Sequence, residues 1–157
     1  MEELELKHIS PYIPYGLEFK SNDKICKLGE IIVGMNTVVD WGSSNHFINN
    51  IKPLLRPLSS ITIEEAYELG VLLTSEADME DVEVGVGGID VFGEYYTVVR
   101  YQDKVDEEYS FMIQFSPIGI VGIDLIPYKA YEWLFKNHFD VFGLIEKGLA
   151  IDKTTFK

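Results

Sequence analysis

Tyr95-Tyr96-Thr97-Val98-Val99-Arg100-Tyr101 is almost wholly β-branched and aromatic. Side chains of that kind fit the pleated surface of a sheet better than the crowded turn of a helix. Across a charged loop at 102–108, Tyr109–Phe115 returns as the hairpin partner, and Pro117 ends it. A chain holding this pair must build an antiparallel sheet. Earlier short segments point the same way: Leu17–Lys20, Lys24–Val33 and Thr37–Trp41, split by turn signals at Ser21-Asn22-Asp23 and at 34–36, predict a meander. The stretch Ile118–Ile126 adds one more strand.

Helical spacing is rarer. Pro11 and Pro14 hold any N-terminal helix to about one turn, and Pro53 and Pro57 keep Leu54-Leu55-Arg56 extended or 3₁₀. Thr62-Ile63-Glu64-Glu65 matches a capping box, with Ile63, Ala66, Tyr67, Leu69 and Leu73 as the apolar stripe. Two helices are expected near the C-terminus. One follows Pro127 through Tyr131, Leu134, Phe135 and His138; the other runs from Val141 to Lys147, capped by Asp140 and stopped by Gly148. Period-two and period-3.6 segments do not alternate, so the expected class is α+β: an antiparallel sheet with a few helices, two of them C-terminal. At 157 residues the chain is read as a single α+β domain, residues 1–157, with nine Tyr and nine Phe supplying much of its core.

Charge is the most uneven property. Between Ser60 and Ser110 lie 14 acidic residues against Arg100 and Lys104, a net −12, whereas the whole chain carries −13. An acidic surface repels phosphate, so direct nucleic-acid binding is disfavoured. A solvated surface is the plain reading of this segment; a face that docks on a basic partner is the functional one. Its candidate interaction surface is Glu76, Asp78, Glu80, Asp81 and Glu83.

Each motif that would carry chemistry fails on its own terms. Gly85-Val86-Gly87-Gly88 lacks the third glycine of a dinucleotide fingerprint, having Asp90 there, and reads as a turn or bulge. The acidic stretch from Glu76 has Asp81 and Gly87 where a calcium loop needs glycine and glutamate. His8, His46 and His138 share no metal-binding spacing, so a zinc site would need ligands gathered by the fold alone. Gly42-Ser43-Ser44-Asn45-His46 is not a nucleophile elbow. Cys26, the sole cysteine, has Lys24 and Lys27 close by to lower its pKa, yet reads as an inert thiol on a half-buried strand. His138 ends a helix, with Asp140 placed to pair with it. No catalytic residue, cofactor or metal is expected.

The lone thiol and the acidic start at Glu2, Glu3 and Glu5 favour a cytoplasmic protein with no leader, and no apolar run is long enough for a membrane helix. Three stretches, Leu6–Leu17, Lys52–Ser59 and the segment from Leu134 through His138–Asp152, together resemble a family of small uncharacterised proteins encoded in phages and prophages of Bacteroides-like bacteria. That resemblance implies a mobile-element protein and assigns no catalytic residue. The leading expectation is a non-catalytic accessory protein that binds another macromolecule, most simply a protein. One alternative is an acidic inhibitor of a nucleic-acid-binding host protein. The other is an enzyme whose site forms only in the fold, from Asp40, His46 and the Gly42–Asn45 loop.

Overall fold

The computed structural model describes residues 3–74, 79–89, 95–103, 109–116, 119–121 and 128–155, with side chains described at 3–66, 68, 69, 72 and 128–155. The class is α+β, and its sheets are mostly antiparallel. The chain divides into two compact units, one made of Met1–Arg56 with Leu134–Lys157 and the other of Pro57–Trp133. Among the described residues no helix is long and apolar enough to cross a membrane.

The first unit opens with α1 (Leu6–Ile9) and a 3₁₀ turn over Ser10–Tyr15, as its two prolines dictate. The expected meander follows as β1 (Glu18–Ser21), β2 (Lys24–Ile32) and β3 (Thr37–Asp40), each antiparallel to the next. The polar stretch after it leads into a short strand, β4 (Asn45–Phe47), paired with β3. Next comes β5 (Ile51–Leu55), extended between its prolines and antiparallel to β1. Later in the chain come β6 (Met79–Ile89), β7 (Tyr95–Asp103), β8 (Tyr109–Ser116), β9 (Gly119–Val121) and β10 (Ile151–Asp152). The six-stranded sheet has the order β10-β5-β1-β2-β3-β4, and β10 alone joins in parallel, beside β5.

Alternation sorts the meander into faces. Phe19, Leu28 and Val38 point inward and are essentially sealed from solvent, together with Ile9, Tyr12, Ile48, Leu55 and Leu144. Burying one such side chain contributes roughly 1.5–3 kcal/mol. Ser21, Cys26, Asp40 and His46 continue this inward set by parity, while Ile25 faces out. A register shift between Leu28 and Glu30 marks a bulge at Gly29. A Cβ on Gly29 would meet the Val39 carbonyl oxygen at 3.2 Å and Trp41 Cδ1 at 3.3 Å, so the close approach of β3 favours glycine there.

The second unit carries α2 (Ile63–Thr74) beside β6, and an antiparallel sheet in the order β6-β7-β8-β9. The capping box forms as read: Thr62 Oγ1 accepts from the Glu65 amide at 3.2 Å, and Glu65 Oε2 accepts from the Thr62 amide at 3.0 Å. Ala66 and Leu69 are fully buried, but Ile63, in the first turn, is exposed; the side chains of Tyr67 and Leu73 lie outside the described set. The glycine run lies within β6, where the pairing slips between Val86 and Ile89, a bulge. The β7–β8 hairpin is present, with Val99 opposite Ile113.

Of the two C-terminal helices expected, one forms: α3 (Tyr128–Lys136). It ends on paired amide bonds, from His138 to the Phe135 carbonyl and from Phe139 to that of Leu134, with His138 left-handed at φ 58°. The expected helix from Val141 to Lys147 is instead a run of turns. Gly143, at φ 65°, interrupts the right-handed path. The Asp140 carboxylate therefore reaches past the first turn, accepting from the amides of Leu144 at 2.8 Å and Ile145 at 2.7 Å. Gly148, left-handed at φ 69°, closes this run of turns and not the helix expected to end there. Tyr12 ties this region to the core: its hydroxyl donates to the Phe139 carbonyl at 2.7 Å and accepts from the Val141 amide at 3.4 Å.

Candidate functional site

A flat sheet would hold β1 and β4, three strands apart, roughly 14 Å from each other. Here the Phe19 and His46 rings meet edge to face with centroids 5.2 Å apart, and Ser21 Oγ lies 3.0 Å from His46 Nδ1. The meander therefore curls strongly, with the bulge at Gly29 adding local twist. Its concave end gathers polar side chains from four strands: Ser21 from β1, Cys26 from β2, Asp40 from β3 and His46 from β4.

Asp40 is the hub. Its Oδ1 accepts from the Ser44 amide at 2.9 Å, and its Oδ2 lies 3.1 Å from His46 Nε2. The Cys26 thiol also donates to it, as does the Gly42 amide. The tight 40–44 loop, with Ser43 left-handed at φ 65°, aims those amides at the carboxylate. The Ser44 amide first, and the His46 hydrogen bond next, hold the Asp40 carboxyl down to about 2. An ionised carboxylate only accepts, so His46 places its proton on Nε2; in the neutral ring Nδ1 then accepts from the Ser21 hydroxyl. Burial, then the hydrogen bond to Asp40, pushes the Cys26 thiol up, opposite to the lowering expected from Lys24 and Lys27. Cys26 is thus held as a thiol donor.

Serine, histidine and aspartate in a row invite comparison with a nucleophilic triad. Ser21 is only 6% exposed, on the inward face it shares with Phe19, and its hydroxyl is engaged by His46 Nδ1. The cluster's second chemical reading comes from its donor atoms. The Cys26 sulphur, a carboxylate oxygen of Asp40 and an imidazole nitrogen of His46 all lie within 4.8 Å of one another. Asp40 and His46, six residues apart and singled out in the sequence, are brought together; Ser21 reads there only as part of a turn.

The remaining candidates scatter. His8 is half-buried: its Nδ1 accepts from the Glu5 amide at 3.1 Å, and its ring lies 5.6 Å from that of Phe142. His138 Nε2 donates to the Tyr15 carbonyl at 3.0 Å, and burial pushes its pKa down, so it serves as a neutral donor and not as an imidazolium cap. The expected partnership of His138 with Asp140 does not form, because the Asp140 carboxylate is committed to the Leu144 and Ile145 amides. Of the acidic set, Glu76 and Asp78 lie outside the described residues. The backbones of Glu80, Asp81 and Glu83 run in β6, with Glu83 opposite Arg100.

The opposite face of the meander sets exposed apolar side chains among charged ones such as Lys27 and Glu30. Trp41 and Phe47 alternate with Asp40 and His46 and take the outer side, 71% and 65% exposed, while Val33 and Met35 project from the neighbouring turn. Trp41 is nonetheless fixed in place: its Nε1–H donates to the Leu28 carbonyl at 2.8 Å, and Lys27 Nζ sits 4.5 Å from the ring centre. No protein-family model, curated protein or solved structure matches this chain.

Proposed function

We propose that this chain is a non-catalytic accessory protein of phage or prophage origin that works in the cytoplasm by docking on another protein. The observation that carries this reading is the outer face of β2–β4, where Trp41 and Phe47 are mostly exposed although large aromatics are usually withdrawn from water. Trp41 is held by hydrogen bond and cation contact before any partner arrives, so little side-chain freedom is lost on docking. Aromatic anchors of this kind dominate interface energetics, each contributing roughly 2 kcal/mol or more. The net charge of −13 opposes nucleic acid as the partner.

Replacing both anchors, Trp41→Ala with Phe47→Ser, is expected to weaken partner binding at least about 100-fold while far-UV circular dichroism stays unchanged. The readout is affinity for the protein retained by immobilised wild type. Charge reversal at Glu80 and Asp81 serves as the contrasting variant. Equal retention by the anchor variant and the wild type would remove this surface as the docking site.

A further inference from the structure

We propose that Cys26, Asp40 and His46 form a zinc site in which Ser21 orients the histidine. The donor types select the metal. A thiolate, an imidazole and a carboxylate suit a borderline dication such as zinc, whereas calcium and magnesium take oxygen ligands alone. Bond lengths of ~2.0–2.3 Å place the ligand atoms of a tetrahedral zinc roughly 3.3–3.7 Å apart. His46 Nε2 and Asp40 Oδ2 are already 3.1 Å apart, and the whole set lies within 4.8 Å, so an ion fits with shifts of under about 1 Å.

The protonation balance closes as well. Zinc at His46 Nε2 displaces the proton that now faces Asp40. That proton moves to Nδ1, and the neutral ring then donates it to the Ser21 hydroxyl, 3.0 Å away. A donor–acceptor contact on the far nitrogen is the usual means of fixing a liganding histidine. The Cys26 thiol gives up its proton to solvent. Two anionic ligands then cancel the 2+ charge, leaving a neutral cluster where His46 and Asp40 side chains are only 16% and 12% exposed. Three protein ligands leave a fourth position for water or a further ligand. The hydrogen-bonded relay is thus the metal-free form of the same cluster.

The test uses the full chain after chelation and desalting. Zinc affinity is measured against a chromophoric chelator, and cobalt(II) replaces zinc as the optical probe. One equivalent should bind. The cobalt complex should show a thiolate-to-metal charge-transfer band with intense tetrahedral d–d bands. Because Cys26 is the sole cysteine, that band identifies the ligand without any variant. Cys26→Ser should lose the band and the tight binding, and Ser21→Ala should keep the band with affinity about 10–100-fold weaker. Nitrogen-15 spectra should show the His46 proton passing from Nε2 to Nδ1 as zinc is added. A wild-type cobalt spectrum without the charge-transfer band, or zinc uptake no greater than that of Cys26→Ser, would overturn the proposal. Unchanged affinity in Ser21→Ala would remove the orienting role.

Discussion

Phe19→Ala is expected to destabilise the first unit by roughly 3–5 kcal/mol, the range for emptying a fully buried aromatic site. Phe19 is fully sealed from solvent on β1, with β5 on one side and β2 on the other. Its ring also packs against His46 from β4, so it fills the concavity that the curled meander creates. Deleting it removes apolar contacts and leaves a void that neighbouring strands cannot collapse into without uncurling. Against a total stability of roughly 5–15 kcal/mol for a natural domain, that loss is a large fraction. For a chain of this length the thermal midpoint should fall by about 10 °C, read by far-UV circular dichroism. A fall of only a degree or two would mean that β1 and β4 do not close over a shared core.

Asp140→Ala is expected to cost roughly 2–4 kcal/mol, since it strips acceptors from two amides within a part-buried turn. The Leu144 and Ile145 amides have their bonds to Asp140 at 2.8 and 2.7 Å, and Gly143 prevents a regular helix from offering other partners. The pH dependence of this loss has a definite sign. Burial, outweighing the amide hydrogen bonds, raises the Asp140 pKa in the folded chain. A raised folded value adds stability that is complete below the unfolded carboxyl pKa of about 3.9 and disappears as pH climbs past the folded value. The advantage of wild type over Asp140→Ala should therefore grow on acidification from neutrality toward pH ~4, measured by urea melts across that range. A shrinking advantage would show that the folded chain prefers the ionised carboxylate.

What the sequence announces locally, the fold delivers. The meander β1–β3, the Thr62–Glu65 cap and the β7–β8 hairpin depend on residues within a few positions of one another. Gly143 shows the limit of that reasoning: helical spacing over Val141–Lys147 is real, yet one left-handed residue turns it into successive turns. The polar cluster was only half legible. Asp40 and His46 are near in sequence, and a tight loop between them is enough to join them. Ser21 belongs to the cluster because of sheet curvature, a property of strand packing that no short window encodes. Alternation does carry one usable signal, since Ser21 shares the inward face of Phe19. Cys26 follows the same parity against Ile25, whose exposure shows which side of β2 meets water.

Residues 6–17, 52–56 and 134–152 come together in the first unit. Tyr12 bonds the Phe139 carbonyl, the Arg56 amide bonds that of His138, and β10 pairs with Leu54 and Leu55 of β5. Lys153 adds a 2.8 Å ion pair to Glu18 on β1, which pushes the Glu18 pKa down.

Long-range proton–nitrogen correlation of the His46 side chain, on metal-free protein in mildly alkaline buffer, tests most directly whether four strands curl into one polar cluster. The structure predicts a single slowly exchanging proton on Nε2, facing Asp40, with Nδ1 unprotonated and accepting from Ser21. A proton on Nδ1, or an even mixture of both tautomers, would contradict it.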